Sequence, residues 1–166
     1  VILLSGIVGS LIGGFSADAG QKLKMRGGIL VPAVIATAIS IPASAYPIMP
    51  TVLGFALVLF LLLVGGTIVN LVNTAAIAVL IPNEERAVSL AALKLVAVIV
   101  GGPITAAIIV AMTGYMEGPN GLGLVLTWLG VVTGIISLIG YWFAMRNAPV
   151  PVARVEAAEV FNDSVG

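Results

Sequence analysis

The chain has 166 residues, 60% of them hydrophobic and 8% charged, with a mean hydropathy of +1.23. A soluble domain carries about a quarter charged residues, so a water-facing globule is excluded. Seven Lys+Arg against seven Asp+Glu leave no basic face for nucleic acid, and the absence of Cys and His excludes disulfides, thiolate or imidazole catalysis and the usual zinc sites.

What remains is a polytopic membrane protein whose solvent is the lipid bilayer. Residues 1–17 carry no charge and predict a first span over about 1–16, which opens in mid-helix and reads as truncated. Residues 27–83 are also uncharged. That run is long enough for two spanning helices of about 20 residues each. Pro42, Pro47 and Pro50 divide it into spans at 28–46 and 51–80, because proline ends a helix on one side of a turn and is tolerated at the start on the other. The next spans fall at 87–112 and 122–144. Apolar runs such as 55–64 are continuous, whereas barrel strands alternate polar and apolar residues, so the expected fold is all-α with about five transmembrane helices. Residues 1–146 form the transmembrane bundle. Residues 147–166, with Pro149, Pro151, Glu156, Glu159 and Asp163, are expected to be a disordered, solvated tail.

Charge sets the orientation. Lys22, Lys24 and Arg26 lie in the first loop, Arg86 in the third, and Arg146 and Arg154 in the tail, while the second and fourth loops have no Lys or Arg. The positive-inside rule therefore puts the first and third loops and the C-terminus in the cytoplasm, with the chain multi-pass in a cell (inner or plasma) membrane. Tyr46 and Tyr115 fall at the expected outer ends, and Tyr141 and Trp142 at the inner end of the last span, as an aromatic belt requires.

Small residues recur at helix-face spacing: Gly6, Ser10 and Gly14; Gly9, Gly13 and Ala17; Ala97 and Gly101; Gly130 and Gly134. Such rows let helix backbones approach closely, and static bundle packing is their simplest use. The third span is the polar one. Thr67, Asn70, Asn73 and Thr74 interrupt an aliphatic stretch, and residues three and four apart share a helix face. Amides in lipid are costly unless satisfied, so this face should point into protein or a water-filled cavity, as interhelical hydrogen bonds or as contacts to a small-molecule substrate. At 1.5 Å per residue this span measures about 45 Å against a core of roughly 30 Å, so bending at Gly65 and Gly66, or protrusion, is expected. Lys94 is the one ionisable residue inside an expected span. It either snorkels to the cytoplasmic face or faces a cavity, where it binds an anionic group or pairs with an acid from a part of the protein outside this sequence.

The first loop carries Gly14 four residues before Asp18, then Lys22, Lys24 and Arg26. It resembles the signature loop of the major facilitator superfamily, Gly-x-x-x-Asp followed by Gly and a basic cluster, which joins the second and third helices of each half. Gln21 stands where that pattern has a glycine, and Leu23 interrupts the basic run. Residues 81–89 (IPNEERAVS), leading to Gly101, Gly102 and Pro103, are similar to the start of the family's eleventh helix, with Asn83 as the expected N-cap and Glu84 and Glu85 in the positive first turn. The resemblance covers residues 1–146 and implies helices eight to twelve of a twelve-helix carrier, with the N-terminal half of the same chain as the missing partner. The loop patterns lean towards the spinster-like branch.

By that resemblance the expected function is secondary active transport of a small solute, as symporter or antiporter, by alternating access. Gly14, Asp18, Lys22, Lys24, Arg26 and Arg86 would form the conformational-switch loops. The polar span would be helix ten, which lines the family's central cavity, so Thr67, Asn70, Asn73 and Thr74 are candidate substrate contacts, with Lys94 beside them. A structural or assembly subunit without transport is the alternative. Enzymatic activity is not expected, because no expected span contains Asp, Glu, His or Cys. No phosphate-binding loop or cofactor motif is present, so no cofactor or metal is expected.

Overall fold

A computed structural model describes residues 1–22, 27–115, 118 and 120–148. The described residues form helices and no strands: α1 (Ile2–Lys22), α2 (Val31–Ala43), α3 (Val52–Leu80), α4 (Asn83–Ile99), α5 (Thr105–Thr113) and α6 (Gly121–Asn147). Short 3₁₀ turns at Gly28–Leu30 and Tyr46–Ile48 flank α2, and a π-turn at Val100–Ile104 joins α4 to α5. Five segments are long and apolar enough to cross a bilayer: Ile2–Lys22, Gly28–Ile48, Val52–Leu80, Asn83–Thr113 and Gly121–Asn147. These are the five spans expected from the charge-free runs.

Local chemistry explains most of the boundaries. Pro42 sits in the last turn of α2, where its missing N–H interrupts the ladder, and the chain relaxes through the 3₁₀ turn. Thr51 then caps α3, its Oγ1 accepting from the Gly54 N–H at 3.1 Å. Between α4 and α5, Pro103 can neither donate a backbone bond nor tolerate the carbonyl four residues back. The helix widens into the π-turn, where the Val100 carbonyl accepts from both the Thr105 N–H and, at 2.7 Å, the Thr105 Oγ1.

Three expectations are corrected here. The first helix continues to Lys22, so Asp18 lies in helix rather than in a loop. A charge marks where a span leaves the apolar core, whereas the hydrogen-bond ladder runs on through polar residues. For the same reason α4 begins at Asn83 and includes Glu84, Glu85 and Arg86, so acidic residues do occur in the span-bearing helices. Asn83 is not the N-cap: Pro82 occupies that position, and its carbonyl accepts from the Glu85 and Arg86 N–H groups, both at 3.1 Å. Helix α3 runs uninterrupted for 29 residues across Gly65 and Gly66, while the α-helical ladder between α4 and α5 changes at Gly101, Gly102 and Pro103.

The centre of the bundle is α3, which packs against α1 on one side and α2 on the other; α6 packs on α2 and meets α5. Its core is built from small and β-branched residues: Ala17, Ala33, Ala36, Val64, Ile68 and Val72. Two of the four small-residue rows are packing seams. A Cβ on Gly9 would lie 2.7 Å from the Thr67 Cβ, and one on Gly13 would lie 3.3 Å from the Ile68 Cα; Gly130 and Gly134 likewise meet Ser44 and Ile41 of α2. The other two rows are open. Nothing lies within 4 Å of a Cβ placed on Gly6, Gly14 or Gly101.

The ends of the bundle pair as an up-and-down topology demands. Gly27, at φ 65, brings the first connection against Met145 at the end of α6, where a Cβ would sit 2.9 Å from the Met145 Cα. Only glycine combines that left-handed conformation with that approach. At the opposite end, Gly123 at the start of α6 lies against the Pro47 carbonyl. The first connection and the end of α6 therefore share one face of the bundle. Asn147 closes α6, its Nδ2 donating to the Phe143 carbonyl at 3.0 Å. The expected tail beyond Ala148 lies outside the described residues, as do Lys24 and Arg26.

Candidate functional site

The polar face of α3 resolves into two separate pairs. Lys94 on α4 reaches back to α3 and donates from Nζ to the Asn70 Oδ1 at 3.1 Å. Three residues further along α3, Asn73 turns towards α6, where the Tyr141 hydroxyl donates to its Oδ1 at 3.0 Å. A step of three residues rotates a helix position by about 60° net, enough to send the two amides to different neighbours. Asn70 and Lys94 are exposed, whereas Asn73 and Tyr141 are half-buried beside the apolar core. The shared face expected from spacing is thus divided into an outward-facing pair and an inward, structural one.

The two threonines are satisfied within their own helix. Thr67 Oγ1 donates to the Leu63 carbonyl and Thr74 Oγ1 to the Asn70 carbonyl, both at 2.9 Å. Thr67 also contacts the Gly9 seam. Of the residues expected to touch substrate, only Asn70 and Lys94 form an outward-facing site.

Its chemistry is specific. Asn70 spends its carbonyl oxygen on the ammonium, which leaves the carboxamide NH₂ and the remaining Lys94 N–H groups as unspent donors. Neither expectation for Lys94, snorkelling or an open cavity, included a bond to α3. The interhelical contact between α3 and α4 creates it.

Tyr141 is the residue that sequence reasoning placed differently. Its position near the end of the last span suggested an interfacial belt, yet its ring packs against the core and its hydroxyl serves Asn73. Trp142, one position on, does face outwards, with the Arg146 guanidinium 5.5 Å from its ring centroid. The signal that separates them is Gly134, Leu138 and Tyr141 at helical spacing, the stripe of α6 that turns inwards.

Among the described residues, Gly14, Asp18, Lys22 and Arg86 of the expected switch loops are not gathered into one cluster. Gly14, Asp18 and Lys22 line one exposed stripe of α1, opposite the buried Gly9, Gly13 and Ala17. Arg86 lies at the base of α4, where its Nη2 makes a long 3.5 Å contact to the Ile81 carbonyl and its buried Nε has no partner among the described residues.

Fold and site together define a helical membrane protein with a cation–amide pair held between two of its spans. No protein-family model matches the chain, and no curated protein or solved structure matches it significantly.

Proposed function

We propose that the chain is the C-terminal helical bundle of a secondary transporter of the major facilitator type, moving a small solute by alternating access. The observation that carries the proposal is the Lys94–Asn70 pair, 3.1 Å apart and exposed between two membrane-spanning helices. A lysine in a span costs about 2.5–3.5 kcal/mol at the bilayer centre, and such residues mark solute pathways far more often than lipid-facing surfaces. The exposed Gly14, Asp18 and Lys22 stripe supports the same reading, since it leaves a polar and close-approach surface for the other half of a carrier. In this proposal α1, α2, α3, α4–α5 and α6 correspond to helices eight to twelve. The face carrying Gly27 and Met145 is then cytoplasmic, in accord with its basic residues.

The test is solute counterflow by the full-length protein reconstituted in liposomes. Lys94→Met should abolish uptake while the protein still inserts, and Lys94→Arg should keep part of it, because the charge is retained and its geometry is not. Full uptake by the Met variant would remove Lys94 from the site. A full-length protein that inserts and shows no counterflow would favour an assembly subunit instead.

A further inference from the structure

A second site lies in the half of the bundle away from Lys94. Helices α2, α3, α5 and α6 enclose a cavity of about 410 Å³, within the usual range for small-molecule pockets. Six of its lining residues are hydroxyl-bearing: Ser40, Ser44, Tyr46, Thr105, Thr133 and Ser137. Leu62, Ile109 and Leu126 supply apolar wall. Gly130 and Gly134 let α6 approach Ser44 and Ile41 closely enough for the hydroxyls of the two helices to converge.

Each of the five serine and threonine hydroxyls already donates its proton to a backbone carbonyl. Ser40 bonds Ala36 at 2.8 Å, Ser44 bonds Ile41 at 2.6 Å, Thr105 bonds Val100, Thr133 bonds Leu129 at 2.7 Å and Ser137 bonds Thr133 at 2.8 Å. A hydroxyl has one proton and two lone pairs, so what these five turn towards the cavity is acceptor only. The lining contains no charged residue and no amide donor. An anion would meet the lone pairs of five hydroxyls against one phenol donor, Tyr46, and a bare metal cation is far smaller than the space. The cavity matches a molecule that is mostly apolar, uncharged and equipped with a hydrogen-bond donor.

We infer that this cavity binds a membrane-partitioning alcohol, its hydroxyl donating into the acceptor row and its hydrocarbon lying against the leucine and isoleucine wall. Ser44 forms the buried floor, while Thr133 and Ser137 are exposed at the rim and give access from the side of the bundle. The same chemistry is offered by a free alkanol and by the hydroxyl of a diacylglycerol. The inference is independent of transport and concerns neither Asn70 nor Lys94.

The test is photolabelling of the full-length protein in liposomes with octanol carrying a diazirine, compared with the equivalent diazirine octane. The expected result is saturable labelling at Ile109, Leu126 and neighbouring lining residues, with octanol preferred about five- to tenfold, the worth of one net hydrogen bond. Combining Ser40→Ala, Thr133→Val and Ser137→Ala should bring that preference close to one at unchanged insertion. Competition by diacylglycerol would identify the lipid as the source, and competition by free octanol alone the soluble alkanol. Equal labelling by octane and octanol in the unsubstituted protein would overturn the inference, as would labelling confined to lipid-facing residues such as Val132 and Ile136. Neither readout depends on the triple variant folding.

Discussion

Adjacent glycines in one helix give opposite predictions for the same substitution. Gly65 is buried against α2: an added Cβ would collide with Ser40 Oγ and sit 3.4 Å from the Ala36 carbonyl. Gly66, one residue on, has nothing within 4 Å. Replacing either by Ala removes the backbone penalty of a glycine in mid-helix, about 0.5–1 kcal/mol in favour of folding. For Gly66→Ala that gain should stand alone. For Gly65→Ala, Ser40 must rotate away and surrender its 2.8 Å bond to Ala36. That loss costs about 1 kcal/mol, and the overpacking of the seam adds about 1–3 kcal/mol. The net expectation is a loss of about 1–3.5 kcal/mol for Gly65→Ala, and a separation of about 2–4 kcal/mol between the variants. Reversible unfolding in mixed micelles, followed by the fluorescence of Trp128 and Trp142, reads this directly. Adding Ser40→Ala removes the colliding oxygen and should recover most of the loss, a coupling that a double-mutant cycle isolates. If the two glycines served as a hinge, both substitutions would stiffen it alike. Equal shifts, or a larger loss at Gly66, would refute the packing argument.

Tyr141→Phe leaves the Asn73 oxygen without its donor in a half-buried position and should cost about 1–3 kcal/mol in the same unfolding assay, while Asn73→Leu combined with Tyr141→Phe should recover part of it. Thr51→Ala removes the α3 cap and should cost about 0.5–2 kcal/mol, with Thr51→Ser close to neutral because the accepting oxygen is kept. Asp18→Asn should leave folded yield unchanged, since the carboxylate is exposed on α1, and should shift cysteine accessibility between the two faces of the full-length protein. Unaltered accessibility from both faces would count against a switching role for that stripe.

Span number, span limits in the middle of the chain and the helical class were legible in the sequence, because the cost of desolvating charge is so large that it writes the membrane segments as uncharged runs. Proline positions at 42, 47 and 50 gave the second connection for an equally local reason, the missing N–H. The small-residue rows were legible as a set but not individually. Gly9, Gly13, Gly130 and Gly134 pack while Gly6, Gly14 and Gly101 do not, and only the arrangement of neighbouring helices distinguishes them. The site was legible in part. Spacing singled out Asn70 and Asn73 as amides needing partners, since an amide in an apolar helix must be satisfied, whereas the bond of Lys94 to α3 was not anticipated. Which partner each one takes was decided by packing: α4 lies against α3 where Lys94 can reach Asn70, and α6 turns Tyr141 inwards to Asn73. A helix's own periodicity fixes which residues share a face, whereas the neighbour that face meets depends on contacts between segments far apart in the chain, and that information exists only in the tertiary structure.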